Sequence, residues 1–192
     1  MTTIILHGGA SKIHNPSNDK FFSLFTSLVD KQAVSIAMTY WARDRETWDN
    51  VFNRDKPRIL SQTNKTIHFE LPETPEILLQ KMNTIDVIFV AGGEAPNIEP
   101  LYSRLGGLKD ALKGKVYLGS SMGAFMASTN YVLSSDEKDG NSVHQGLGLL
   151  PINTLCHWNV EPTQEKKQRI LENYSDLPLV KLNETEFLRY DL

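Results

Sequence analysis

Residues 116–125 are Val116-Tyr117-Leu118-Gly119-Ser120-Ser121-Met122-Gly123-Ala124-Phe125, an apolar run followed by a Gly-x-Ser-x-Gly turn and a helix-forming segment. This pattern predicts a nucleophile elbow, in which a sharp strand-to-helix turn lifts the Ser121 side chain clear of the sheet. Gly119 and Gly123 permit the turn, because a Cβ at either position would crowd the backbone. The N-terminus of the following helix would turn free N–H groups and a positive dipole end toward an acyl-transfer oxyanion. The stretch therefore predicts a hydrolytic nucleophile at Ser121.

The composition is typical of a globular protein. The chain has 192 residues, of which 40% are apolar and 22% charged, and we expect residues 1–192 to form one domain. The net charge of −3 favours neither nucleic acid nor a membrane surface as a partner. No apolar run approaches the roughly 20 residues that span a bilayer. We expect no signal peptide, because the first residues lack a basic n-region and enter a predicted strand at once.

A single cysteine, Cys156, limits the redox and metal chemistry of the chain. It excludes an internal disulfide, so we expect a reducing cytoplasm as the compartment. One thiol also argues against a zinc cluster, and we expect neither metal nor cofactor. We interpret Cys156 as a core residue, because it neighbours His157 in a predicted strand and adjacent side chains point to opposite faces.

Apolar periodicity predicts alternating strands and helices. The predicted strands are residues 4–6, 33–38, 66–71, 86–91, the elbow strand, 152–157, 177–182 and 187–190. The predicted helices are a segment marked by Phe21, Phe22 and Phe25, residues 46–52, 75–82 with Thr74 as cap, 101–112, the elbow helix and 163–174, with 134–142 as a surface loop. This alternation predicts an α/β three-layer sandwich, with helices on both faces of a mostly parallel sheet.

Three features fall at carboxyl ends of predicted strands, the edge where such sheets bind ligands: Gly92-Gly93, Ser121 and His157. His157 can take the serine proton and return it to a leaving amine, although a histidine hydrogen-bonded to backbone is an equally weighted reading. His7 also ends a strand and is the second candidate base. Glu184 lies just past a late strand and is our candidate to orient the imidazole; solvated surface is the alternative for it and for the other downstream carboxylates.

An oxyanion hole needs two backbone donors. The N–H of Met122, which follows the nucleophile, is one candidate, and the Gly92-Gly93 turn is the natural source of the other. The alternative for the glycine pair is an ordinary tight turn, which is also how we interpret Gly8-Gly9. Trp158 can line the substrate pocket, although packing is its simpler role.

At these positions the chain resembles the dipeptidase E (alpha-aspartyl dipeptidase) family of serine peptidases, whose wider group includes cyanophycinase. The resemblance covers most of the chain in order and rests on short segments. These are Thr47-Trp48-Asp49, residues 87–93, the elbow, residues 146–150 with Ile152 and His157, and Leu182-Asn183-Glu184. It implies the class I glutamine amidotransferase-like fold.

The resemblance also implies residue roles. It implies Ser121 as nucleophile, His157 as base and Glu184 as orienting acid. It further implies that Gly93 and Met122 supply the oxyanion-hole N–H groups. A true glutamine amidotransferase would carry cysteine at the elbow, so Ser121 argues against that activity.

Three departures from the family pattern stand out. Met122 replaces the usual alanine after the nucleophile, and we expect it to reshape the pocket. Glu94-Ala95-Pro96 replaces Asn-Thr-like residues after the glycines; as a substrate contact, Glu94 would repel an aspartyl substrate by roughly 1 kcal/mol. The chain also ends soon after Glu184, so we expect strands that often follow in the family to be missing.

Two functional hypotheses follow. The first is a serine hydrolase that cleaves a small peptide or amide through a Ser-His-Glu triad. The alternative is a catalytically weak or inactive family member that acts as a binding or regulatory protein, which the three departures favour. Either a monomer or a homodimer is compatible with the sequence.

Overall fold

Two β-sheets organise the computed structural model of the chain, which describes residues 1–133, 142–160 and 163–192. The strands are β1 (Thr3–His7), β2 (Ala33–Thr39), β3 (Thr66–Glu70), β4 (Val87–Val90), β5 (Val116–Ser120), β6 (Asn130–Tyr131), β7 (His144–Gln145), β8 (Asn153–Leu155), β9 (Leu179–Lys181) and β10 (Phe187–Asp191). The helices are α1 (Pro16–Ser27), α2 (Trp48–Leu60), α3 (Pro75–Lys81), α4 (Ala95–Ile98), α5 (Leu108–Ala111), α6 (Met122–Ala127) and α7 (Gln164–Tyr174), with 3-10 helices at Arg45–Thr47 and Glu99–Leu105.

The larger sheet has the strand order β10-β1-β5-β4-β2-β3. Its strands are parallel except β10, which pairs antiparallel with β1. Every residue of β1, β4 and β5 is buried, as expected for strands covered on both faces. The carboxyl ends of these central strands therefore meet at one edge of the sheet.

Helices cover both faces of this sheet. Helix α1 packs against α2, and α3 packs against the 3-10 helix Glu99–Leu105. The chain moves toward the β3 edge through α1 and α2 and moves back through α3 and the following segment, so right-handed crossovers place the two groups on opposite faces. The predicted α/β architecture is confirmed.

The smaller sheet, with order β7-β6-β8-β9, was not expected. It contains the short strands that follow the elbow helix, which pair with one another rather than extending the main sheet. The predicted strand 152–157 shortens to β8, because the backbone turns at His157 with φ +56°. That turn moves His157 out of the strand and toward the elbow.

Two helix predictions were wrong in length. The predicted helix 46–52 continues as α2 to Leu60 and contains Pro57 inside it. The predicted helix 101–112 is instead a 3-10 helix and the short α5, separated at Gly106 and Gly107. Most of the predicted loop 134–142 lies outside the described residues, and no helix in the described ranges is both long and apolar enough to cross a membrane.

Candidate active site

The elbow has the backbone geometry that its glycines predict. Ser121 stands between β5 and α6 with φ +52° and ψ −107°, a conformation that L-residues rarely adopt. A Cβ on Gly119 would lie 2.3 Å from the Gly123 carbonyl oxygen, and one on Gly123 would lie 2.1 Å from the Val90 carbonyl oxygen. The tight contact between strand and helix therefore depends on both glycines.

Ser121, His157 and Glu184 form a continuous hydrogen-bonded chain. Ser121 Oγ lies 3.0 Å from His157 Nε2, and His157 Nδ1 lies 2.7 Å from Glu184 Oε1. Backbone contacts hold the last two members, because His157 N–H donates to the Gly8 carbonyl at 3.1 Å and Glu184 N–H donates to Asn159 Oδ1 at 2.8 Å. In such an arrangement the imidazole can take a serine proton while the carboxylate fixes its tautomer and orientation.

The glycine pair after β1 supports this chain, although the sequence suggested an ordinary turn there. Gly9 has φ +116°, and a Cβ on it would lie 2.2 Å from His157 Cε1. A Cβ on Gly8 would lie 2.1 Å from the Asn183 carbonyl oxygen, next to Glu184. The position of Gly8-Gly9 in the sequence could have indicated this role. The pair follows the carboxyl end of a central strand, as Gly92-Gly93 does.

His7, the second candidate base, is fully buried, and its ring nitrogens contact Ser120, Asn18 and Gly9 rather than Ser121 Oγ. Its Nδ1 accepts the Gly9 N–H at 3.2 Å, so that nitrogen is unprotonated and also accepts from the Ser120 hydroxyl at 3.1 Å. Its Nε2 then carries the hydrogen and donates to Asn18 Oδ1 at 2.8 Å. Desolvation by burial lowers the pKa of His7 to about 4. His7 is thus a neutral connector between β1, β5 and the Gly9 turn.

We expect His7 to make the protein less stable in acid. The imidazole pKa is 6.5 in the unfolded chain and about 4 in the folded one, so the unfolded state binds more protons between these values. The contribution of His7 to the free energy of unfolding is complete above pH 6.5 and is lost as the pH falls toward 4. The loss amounts to on the order of 3 kcal/mol in total. Urea unfolding at pH 4 to 7 should show a smaller pH dependence in His7→Gln than in the wild type. Equal slopes in the two proteins would contradict this assignment.

A cavity of about 630 Å³ opens at the hydrogen-bonded chain. Ser121, His157 and Glu184 line it together with Gly92 and Gly93. A Cβ on Gly92 would lie 3.0 Å from Ser121 Cβ, and one on Gly93 would lie 2.1 Å from the Ala42 carbonyl oxygen. The Gly92 backbone therefore approaches the candidate nucleophile closely, as an oxyanion-hole loop must, and Gly93 packs against the backbone of Ala42.

Met122 begins α6, so its N–H is one of the helix's first donors and has no intrahelical acceptor. The Met122 side chain is buried in the hydrophobic core and does not line the cavity. The expectation that it reshapes the pocket is therefore not met. Its backbone N–H remains available beside Ser121.

Neither of the two predicted substrate contacts, Glu94 and Trp158, is among the residues that line the cavity. Glu94 is exposed and outside the cavity lining, with its N–H donating to the Ala42 carbonyl at 2.6 Å. Trp158 packs against a small apolar cluster beside Leu155, and Lys181 Nζ lies 4.1 Å from its ring centroid. The cationic side chains of Lys12, Arg43 and Arg54 do line the cavity.

The family comparison agrees with this geometry. The sequence model of peptidase family S51 matches residues 4–191. The uncharacterized peptidase Lmo0363 of Listeria monocytogenes serovar 1/2a (strain ATCC BAA-679 / EGD-e) is 32% identical over 104 residues. The aligned stretch spans about half of each chain, 50% of this one and 51% of the relative.

Two crystal structures share the fold. One, at 1.5 Å, is of a protein from Listeria monocytogenes EGD-e that is named as a peptidase E; it has a TM-score of 0.65 and 21% identity, with 100% of this chain and 99% of that one covered. The other is of a peptidase from an acI-B1 Actinobacterium, with a TM-score of 0.68 and 14% identity, covering 99% of this chain and 83% of that one. The resemblance to the dipeptidase E family is thereby confirmed. The chain belongs to peptidase family S51, a family of serine-type peptidases.

Proposed function

We propose that this protein hydrolyses a small peptide or amide with Ser121 as nucleophile, His157 as general base and Glu184 as the orienting acid. The observation that carries the proposal is the hydrogen-bonded chain from Ser121 Oγ through His157 to Glu184, with distances of 3.0 and 2.7 Å. It opens on a cavity of about 630 Å³, which is within the size range of small-molecule sites. Cys156 is buried and unpaired, which is compatible with a reducing cytoplasm as the proposed compartment.

The reaction would proceed through an acyl-enzyme. His157 Nε2 takes the hydroxyl proton as Ser121 Oγ attacks the substrate carbonyl carbon. The N–H groups of Met122 and Gly93 stabilise the resulting oxyanion. His157 then protonates the leaving amine, the C–N bond breaks, and water activated by the same imidazole releases the acyl group. Glu184 accepts the Nδ1–H throughout and stabilises the imidazolium that forms transiently.

Two of the three departures that favoured the non-catalytic alternative, those at Met122 and Glu94, do not affect the cavity lining. Met122 contributes its side chain to the core, and Glu94 lies outside the cavity. These two side chains therefore do not line the cavity in which the reaction would take place. We favour the enzyme for this reason.

Peptide hydrolysis by the purified protein tests the proposal. We expect turnover of members of a dipeptide and dipeptide-amide panel, no turnover of casein, and complete inactivation by a fluorophosphonate. Ser103→Ala, which changes an exposed serine outside the cavity lining, should match the wild type. Calorimetric binding of dipeptides without turnover, together with resistance to the fluorophosphonate, would overturn the proposal in favour of a binding protein.

A further inference from the structure

Besides the candidate triad, the described residues contain a second hydrogen-bonded chain of buried side chains, centred on the His7 imidazole. His7 Nδ1 accepts the Gly9 N–H at 3.2 Å and the Ser120 hydroxyl at 3.1 Å. On the other side of the ring, His7 Nε2 donates to Asn18 Oδ1 at 2.8 Å, and both side chains are fully buried. The proposed reaction uses none of these groups, although Ser120 immediately precedes the candidate nucleophile.

The Gly8-Gly9 turn connects this second chain to two members of the triad. Gly9 packs so closely against the His157 imidazole that a Cβ on it would lie 2.2 Å from Cε1. The Gly9 carbonyl accepts the N–H of Thr185, the residue after Glu184, at 3.0 Å. The Gly8 carbonyl accepts the His157 N–H at 3.1 Å. The position of the turn therefore sets the positions of both the base and the segment that carries its orienting acid.

His7 also contacts the strand that carries the nucleophile. Ser120 is the last residue of β5, and the N–H of Ser121 donates to the His7 carbonyl at 2.9 Å. The Ser120 hydroxyl donates to the same Nδ1 that accepts the Gly9 N–H. One imidazole nitrogen is therefore shared by the elbow and by the turn that contacts His157.

Asn18 fixes the tautomer of His7. Its Nδ2 donates to the Ala10 carbonyl at 3.0 Å and to the Ile13 carbonyl at 2.7 Å, and both of these residues line the cavity. A flipped amide would turn its oxygen toward these two carbonyls, so Oδ1 must face His7. The hydrogen of the neutral imidazole then lies on Nε2, which leaves Nδ1 as an acceptor for the turn.

We propose that His7 is a positioning residue for the reaction, because its Nδ1 holds the Gly9 turn against the His157 imidazole; the inference rests on the proposed function. An imidazole that takes a proton from Ser121 must be placed accurately, since a displacement of about 1 Å can cost on the order of 10²-fold in rate. Without the acceptor, the buried Gly9 N–H would lose its partner, and we expect the turn to shift to regain one. His7 itself does not line the cavity.

Two amide variants separate the Nδ1 acceptor from the rest of the side chain. His7→Asn places an amide oxygen near the former Nδ1 and keeps an acceptor for Gly9, but it loses the donor to Asn18. His7→Gln places an amide nitrogen near the former Nε2 and keeps that donor, but it loses the acceptor. We expect fluorophosphonate labelling of Ser121 to slow by about 10- to 100-fold in His7→Gln and by less than about 3-fold in His7→Asn. In dipeptide hydrolysis kcat should follow the same order, while KM changes by less than about 3-fold.

Urea unfolding of the same variants tests whether a general loss of stability is the cause. Asparagine is the smaller of the two replacements and leaves the larger void beside Phe21, whose ring centroid lies 4.3 Å from that of His7. His7→Asn should therefore have the lower unfolding midpoint, so the expected order of stability is opposite to the expected order of activity. His68→Asn and His68→Gln are the matched controls, because His68 is exposed on β3, which does not pair with β1. Both should label at the wild-type rate.

A folded His7→Gln protein that labels at the wild-type rate would overturn the inference and leave the proposed function intact. Equal slowing in His7→Asn and His7→Gln would also overturn it, because the loss would then follow packing rather than the Nδ1 acceptor. Absence of wild-type labelling at Ser121 would overturn the proposed function, and this inference with it. If neither variant folds, nitrogen NMR spectra of the wild type at neutral pH decide: an unprotonated His7 Nδ1 supports the inference, and a protonated one overturns it.

Discussion

Replacing Ser121 with alanine should reduce kcat for peptide hydrolysis by about 10⁴- to 10⁶-fold. The hydroxyl is the group that would attack, and it lies 3.0 Å from the proposed base. KM should change little, because the side chain lost is small and the cavity wall remains. Stability should change by less than about 1 kcal/mol, because alanine keeps the same Cβ at φ +52° and no structural hydrogen bond of the serine hydroxyl is lost beyond that to His157.

Steady-state kinetics on the best dipeptide of the panel, with urea unfolding alongside, measures both effects. The exposed Ser103→Ala variant controls for a general effect of removing a hydroxyl. A loss of less than tenfold in a folded Ser121→Ala protein would mean that another group is the nucleophile.

Gly9→Ala should lower kcat by about 10²- to 10³-fold although residue 9 contributes no reacting group. The new Cβ would lie 2.2 Å from Cε1 and 2.7 Å from Nε2 of His157. The His157 imidazole is hydrogen-bonded on both sides, to Ser121 and to Glu184, so it cannot move without lengthening one of these hydrogen bonds. Alanine at φ +116° adds backbone strain, and we expect stability to fall by about 1–3 kcal/mol.

Gly107→Ala provides the matched control. Gly107 has φ −88°, and a Cβ on it would meet no atom within 4 Å. This variant should keep wild-type activity and stability. Wild-type kcat in Gly9→Ala would show that the imidazole tolerates displacement and that the observed geometry is not required for the reaction.

The elbow was predictable because its signal is local. Gly119 and Gly123 flank Ser121 at fixed spacing, and the close contacts at both glycines show the physical requirement behind the motif. His157 and Glu184 were identified from their positions after strands and from the family resemblance. The structure brings both to Ser121 through a single hydrogen-bonded chain.

The second sheet was less predictable because its strands are only two or three residues long. Such segments have too few residues for an alternation pattern, and their pairing is decided by long-range contacts. The positive φ of His157 is likewise set by tertiary structure, since its N–H bonds to Gly8 at the end of β1.

The cationic side chains in the cavity lining also escaped prediction. Arg43 and Arg54 belong to a charge-rich stretch in which neighbouring Asp44, Arg45 and Glu46 are simply exposed. Sequence alone does not separate a cavity arginine from a solvated one. The distinguishing features are three-dimensional: the Asp55 contact behind Arg54 and the buried, unpartnered Nε of Arg43.

Mass spectrometric mapping of a fluorophosphonate adduct tests the central claim, that His157 activates the Ser121 hydroxyl. We predict one phosphonyl group per chain, located by fragmentation on Ser121 rather than the adjacent Ser120, and at least a 100-fold slower reaction in His157→Gln. An adduct on another side chain, or an equal labelling rate in His157→Gln, would contradict it.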